Sequence, residues 1–142
     1  MPTRNASAVW EGGLQGGNGR FDGESGAIGG SYSFGSRFGD SGGTNPEELL
    51  AAAEAACFSM ALSGNLERAG VTPNRISTSA ACTVEKSGNG IKITSMALDV
   101  TVDAQGLDAA KLTQIAEDTK KTCPVSVALG GIDRITVSAK TA

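Results

Sequence analysis

Residues 44–70, TNPEELLAAAEAACFSMALSGNLERAG, constrain the fold more than any other part of the chain. They open as a helix start. Asn45 or Thr44 can cap, Pro46 suits the first helical position, and Glu47 and Glu48 sit where the helix dipole favours negative charge. Helix initiation is a sufficient role for both glutamates. The pattern predicts one helix from residue 46 to about residue 68, ended by Ala69-Gly70 and by Thr72-Pro73. Leu49, Ala53, Ala56, Cys57, Met60 and Gly64 recur at helical spacing, which assigns them, and Cys57 with them, to the buried stripe. Such small side chains let another backbone come close. With aromatics at 4% of residues, a thick core of large side chains is out of reach. Close packing is expected instead, with burial gained by pairing with a second chain.

Strand patterns flank this helix. Residues 6–40 are punctuated by glycine, and "SAVW", "GRFDGE" and "SYSFGSRF" read as short strands of an antiparallel meander. After the helix, Ile76, Thr78, Ala80, Cys82 and Val84 alternate as one face of a strand over residues 75–85. Ser87-Gly88-Asn89-Gly90 turns the chain into "IKITSMALDVTVDA". There the apolar phase slips from Ile91 and Ile93 to Met96, Leu98, Val100 and Val102, so a bulge is expected near Thr94 and Ser95. A second helix starts with Asp108 as cap and carries Leu112, Ile115, Ala116 and Thr119 on one face. The next position on that face is Cys123, where Pro124 breaks the helix. A "VSVAL" turn and a final strand, "IDRITVSAK", close the chain. The order of elements predicts an α+β fold, with helices packed on antiparallel sheet, in one domain over residues 1–142.

A net charge of −3 without any basic cluster leaves no footprint for a phosphate backbone, so nucleic acid is not expected as a partner. The N-terminus has no apolar segment after Arg4, and no apolar run approaches the roughly 18 residues that span a bilayer. A soluble, cytoplasmic protein with no membrane partner is expected, and the Asn5-Ala6-Ser7 sequon then lacks a secretory context. Histidine is absent. That removes Ser-His-Asp triads, Cys-His dyads, His-ligated haem and the usual catalytic zinc sites. Three cysteines without a C-x-x-C pair also fall short of a structural zinc set. No phosphate-cradling glycine motif occurs. No metal or cofactor is expected, and any chemistry falls to Cys, carboxylates, Arg, Lys or Tyr.

Cys82 is in phase with the apolar face of its strand and reads as packing. Cys57 and Cys123, 66 residues apart, lie on the inner faces of two different helices. Inner faces in one small core can touch, and position alone leaves inert packing and a redox pair both open. A reactive thiol needs positive charge or hydrogen-bond donors to lower a pKa of about 8.5. Without histidine, arginine is the natural source. Arg37, in the "GSRFGD" loop, stands ten residues before Glu47, with solvated surface as its competing reading.

The stretches "GTNPEELLAAAEAACFSMAL" and "CPVSVAL", with "SRFG" upstream, resemble the OsmC/Ohr family of organic hydroperoxide reductases. The resemblance runs from "AVWEG" to the last strand, and "SRFG" with "NPEEL" is more similar to the OsmC branch than to Ohr. It implies an OsmC-like fold of antiparallel sheets around two main helices, and a thiol-dependent peroxidase in oxidative and osmotic stress defence. It implies Cys57 as the nucleophile that an organic hydroperoxide oxidises to a sulfenic acid, and Cys123 as the cysteine that resolves it to a disulfide. A dithiol reductant, a lipoylated protein in related enzymes, would restore the pair. Arg37 would stabilise the thiolate and orient the peroxide, with Glu47 orienting Arg37. Arg20, in "GNGRFDG", lies nearer the arginine of the Ohr branch and is the reserve.

Glu47 and Cys57 are ten residues apart on one helix, roughly 15 Å at about 1.5 Å per residue, too far to share a site within one chain. If the family's Cys, Arg and Glu meet, the carboxylate and its arginine come from a second subunit. An intertwined homodimer follows, with two Cys57 helices crossing about a two-fold axis. Phe58, Met60 and Phe38 are candidates to line an alkyl pocket. Two competing readings are a non-catalytic redox sensor and a structural dimer with inert, buried cysteines.

Overall fold

The computed structural model describes residues 1–142, which divide into two compact units, Met1–Leu49 and Leu50–Ala142. In the first, β1 (Ala6–Glu11), β2 (Asn18–Gly23) and β3 (Gly29–Ser33) form the expected antiparallel meander in that order. Gly19 pairs with both Trp10 and Tyr32. A Cβ there would run into both rings, whose centroids lie 5.5 Å apart, so the glycine is what lets them meet across the middle strand.

The expected strand over "SYSFGSRF" is only half a strand. After Ser33 the chain turns into a short helix, α1 (Phe34–Phe38), because Ser33 and Ser36 form a reciprocal capping box. The Ser36 N–H donates to Ser33 Oγ at 3.1 Å, and the Ser33 N–H donates to Ser36 Oγ at 2.8 Å. Arg37 therefore stands in the last turn of a helix and not in a loop. Local cap chemistry overrode the period-two pattern.

Helix α2 (Pro46–Arg68) starts and stops where its signals lie. Asn45 Oδ1 accepts from the Glu48 N–H at 2.8 Å. At the other end Gly70, at φ +82°, closes a Schellman motif in which the Val71 N–H donates to Leu66 O at 2.9 Å. The face that the second unit buries is not the expected one. Glu54, Phe58, Leu62 and Leu66, spaced by four, are fully buried, whereas Ala53 and Ala56 are exposed and Met60 is 79% exposed. Cys57 sits on the flank of the buried stripe, partly accessible. Alanine is apolar on any face, so the bulky Phe58, Leu62 and Leu66 chose the side. By length and composition α2 is also long and apolar enough to cross a bilayer, contrary to the expectation that no such run exists. A helix that packs a protein core passes the same test, and α2 carries Glu54 at its middle.

The second unit continues with β4 (Arg75–Ser87) and β5 (Gly90–Asp103), a long antiparallel hairpin. Ser95 pairs with Thr83 and Ile93 with Val84, which leaves Thr94 as the extra residue of the expected bulge. The slip puts Met96, Leu98, Val100 and Val102 on the core face. Helix α3 (Ala109–Thr122), capped by Asp108, buries Leu112, Ala116 and Thr119. The "VSVAL" segment is not a turn but a helix, α4 (Pro124–Ala128), begun by the proline. β6 (Arg134–Thr141) then pairs with β5 in parallel, so this sheet is mixed and not antiparallel throughout. The crossover through α3 and α4 returns the chain in the same direction as β5, and an α+β fold results.

Candidate active site

Cys57 and Cys123 meet. Cys123 ends α3 with φ −60° and ψ 122°, the extended geometry that a following proline imposes, and its N–H donates to Thr119 O at 2.8 Å. This kink carries the thiol inward to full burial, and its Sγ lies 3.3 Å from Cys57 Sγ. A disulfide at about 2.05 Å needs little more than 1 Å of approach. Burial pushes the Cys57 thiol above its ordinary value, and Cys123 and Glu54 add to the rise. The Val125 N–H, hydrogen-bonded to the Cys57 sulfur, pulls the other way. The surroundings within the second unit thus favour the thiol over the thiolate.

Two side chains beside the thiols were missed in the sequence. Glu54 lies one helical turn before Cys57, and its Oε1 accepts a hydrogen bond from Ser126 Oγ, three residues after Cys123. Glu54 is 0% exposed, and its Oε2 has no hydrogen-bond partner. A lone carboxylate inside an alanine run was the available signal; its inward orientation depended on the choice of face.

In the first unit, Arg37 and Glu47 form a close ion pair. Arg37 Nε donates to both Glu47 oxygens at 3.1 Å, and Nη2 donates to Oε1 at 2.6 Å. Glu47 is 6% exposed, whereas its neighbour Glu48 is exposed and accepts from Thr44 Oγ1. Helix initiation is therefore not all that Glu47 does. The Arg37 guanidinium also lies 5.1 Å from the centre of the Phe38 ring. An apolar cavity of about 250 Å³, lined by Trp10, Leu14, Tyr32, Phe34 and Phe38, opens beside Arg37. Of the other pocket candidates, Phe58 is wholly in the core and Met60 faces out. Arg20 lies on the exposed part of β2, 3.5 Å from Asp22. Cys82 is half-buried on the inner face of β4.

Comparison with known proteins gives a consistent picture. The family model described as "OsmC-like protein" matches residues 39–138. The chain is 44% identical over 127 residues to the Escherichia coli (strain K12) protein named "Peroxiredoxin OsmC", with 89% of each chain covered. The Shigella flexneri protein of the same name is equally similar. Among solved structures, the organic hydroperoxide resistance protein OsmC of Legionella pneumophila has the same fold: TM-score 0.71 at 21% identity, over 100% of this chain and 99% of that one. OhrB of Bacillus subtilis also shares it, with a TM-score of 0.65 at 24% identity over 97% and 98%.

Proposed function

The chain belongs to the OsmC-like protein family, and from that premise we propose that it is a thiol-dependent peroxidase that reduces organic hydroperoxides to alcohols in stress defence. The carrying observation is the 3.3 Å approach of two thiols of unequal accessibility. Cys57, the accessible one, attacks the terminal peroxide oxygen as thiolate. The O–O bond breaks, the departing alkoxide takes a proton to leave as alcohol, and Cys57 becomes a sulfenic acid. Cys123 then attacks the sulfenic sulfur, the S–S bond forms, and the hydroxyl leaves as water. A dithiol reductant, such as a lipoylated protein, restores both thiols by exchange.

The thiolate step needs a cation, because burial, Cys123 and Glu54 all act against it. In this reading Arg37, aimed by Glu47, supplies it from a second subunit of an intertwined homodimer. The exposed Ala53, Ala56 and Met60 face of α2, with its small side chains, supports such a contact. The alkyl group of the hydroperoxide would lie in the aromatic cavity beside Arg37. Residues 1–142 act in this reading as one OsmC-like domain of a soluble, cytoplasmic protein.

The test compares wild type, Cys57→Ser and Cys123→Ser, each reduced anaerobically and given cumene hydroperoxide with dithiothreitol. Wild type should consume peroxide continuously, Cys57→Ser should consume none, and oxidised wild type should carry a Cys57–Cys123 bond. An inactive wild type refutes the peroxidase, and an active Cys57→Ser refutes the assigned nucleophile.

A further inference from the structure

Within the second unit, three contacts tie α2 to the segment that carries Cys123. Asn65 Nδ2 donates to Thr119 Oγ1 at 2.8 Å, the two thiols meet at 3.3 Å, and Ser126 Oγ donates to Glu54 Oε1. Thr119 precedes Cys123 by four residues and Ser126 follows it by three, so hydrogen bonds hold the cysteine from both sides.

The Glu54 end needs an explanation that packing does not give. Glu54 is 0% exposed and Ser126 3% exposed, yet Glu54 Oε2 is buried without a partner. A buried carboxyl with an unsatisfied oxygen costs stability that an apolar side chain of similar volume would not. Next to it, α4 is five residues long, and its N-cap, Cys123 itself, makes no side-chain capping bond. The extended backbone at Cys123 interrupts the helical run between α3 and α4, so α3 alone does not fix the course of α4.

We propose that Glu54 is a positioning residue for disulfide closure: through Ser126 it holds α4, and with it the backbone of Cys123, against α2 so that the two sulfurs stay in reach. The proposal rests on reading Cys57 and Cys123 as a redox pair, whatever oxidises them.

Closure is therefore measured without peroxide, against a glutathione buffer. The two thiols give up two protons and two electrons, the Cys57–Cys123 bond forms, the S–S bond of glutathione disulfide breaks, and two glutathione thiols result. The closed fraction is read by acid quench, alkylation and mass spectrometry. Ser126→Ala and Glu54→Met are expected to lower the equilibrium constant about tenfold or more. Glu54→Gln, whose Oε1 still accepts from Ser126, should stay within about threefold of wild type. A purely structural Glu54 would make closure and Tm fall together; here Glu54→Met should lose closure without losing Tm. A wild-type constant in Ser126→Ala or Glu54→Met overturns the proposal, as does a Glu54→Gln constant as low as that of Glu54→Met. A wild type that closes its disulfide here but consumes no hydroperoxide overturns the proposed function alone.

Discussion

Arg37 grips Glu47 through three hydrogen bonds of 2.6–3.1 Å, and Glu47 sits in the first turn of the helix whose fourth turn carries Cys57. A guanidinium held this firmly is already ordered, so it loses little freedom on meeting an anion. The groups around Cys57, taken without it, favour the neutral thiol.

Arg37→Ala therefore gives a pH prediction. With the arginine removed, burial, Cys123 and Glu54 leave the Cys57 pKa raised. Its alkylation midpoint with iodoacetamide should lie above the ordinary cysteine range in the variant and below it in wild type. Because the folded-state pKa is then higher than the unfolded one, the neutral thiol stabilises the fold below the unfolded value. That contribution is lost as pH rises through the folded value. Between about pH 8 and pH 10 the urea midpoint of Arg37→Ala should fall more than that of Arg37→Ala/Cys57→Ser. A wild-type midpoint equal to the variant's would remove Arg37 from the site.

The exposed face of α2 gives a second test. Ala56→Glu and Met60→Glu put a charge on residues that the chain itself leaves uncovered, so thermal stability of the single chain should change by no more than about 0.5 kcal/mol. Sedimentation should find wild type at twice the 14.3 kDa chain mass and the variants at the chain mass. Wild type running as a monomer at all concentrations would sink the two-chain site.

Core truncation should be costly at the face that is buried. Phe58→Ala removes a fully buried ring from the cluster of Leu62, Val100 and Leu112 and should cost about 3–5 kcal/mol in urea unfolding. Ala53→Ser, on the exposed side, should stay within about 0.5 kcal/mol. Equal costs at both positions would mean that the buried face has been misassigned.

Cys82 should be dispensable for turnover. It is half-buried on the inner face of β4 between Ala80 and Val84, in phase with the strand's other apolar positions. Cys82→Ala is expected to keep kcat/KM for cumene hydroperoxide within about twofold while costing about 1 kcal/mol of stability. A loss beyond tenfold in kcat/KM would give this third cysteine a part in the cycle.

The sequence by itself determined whatever acts over a few residues. Asn45 and Pro46 set the start of α2, Gly70 its end, Asp108 the start of α3, and Pro124 the extended backbone at Cys123. The phase slip marked Thr94 as the bulge, and the missing histidines narrowed the chemistry to thiols, carboxylates and arginine. Tertiary structure decided the rest. In an alanine-rich helix every face is nearly apolar, so only the partners of Phe58, Leu62 and Leu66 could fix which side is buried. That choice turned Glu54 inward and left Met60 outside. The parallel course of β6 and the 3.3 Å meeting of Cys57 with Cys123 join residues distant in sequence. No local rule reaches that far, because such contacts depend on how whole elements pack.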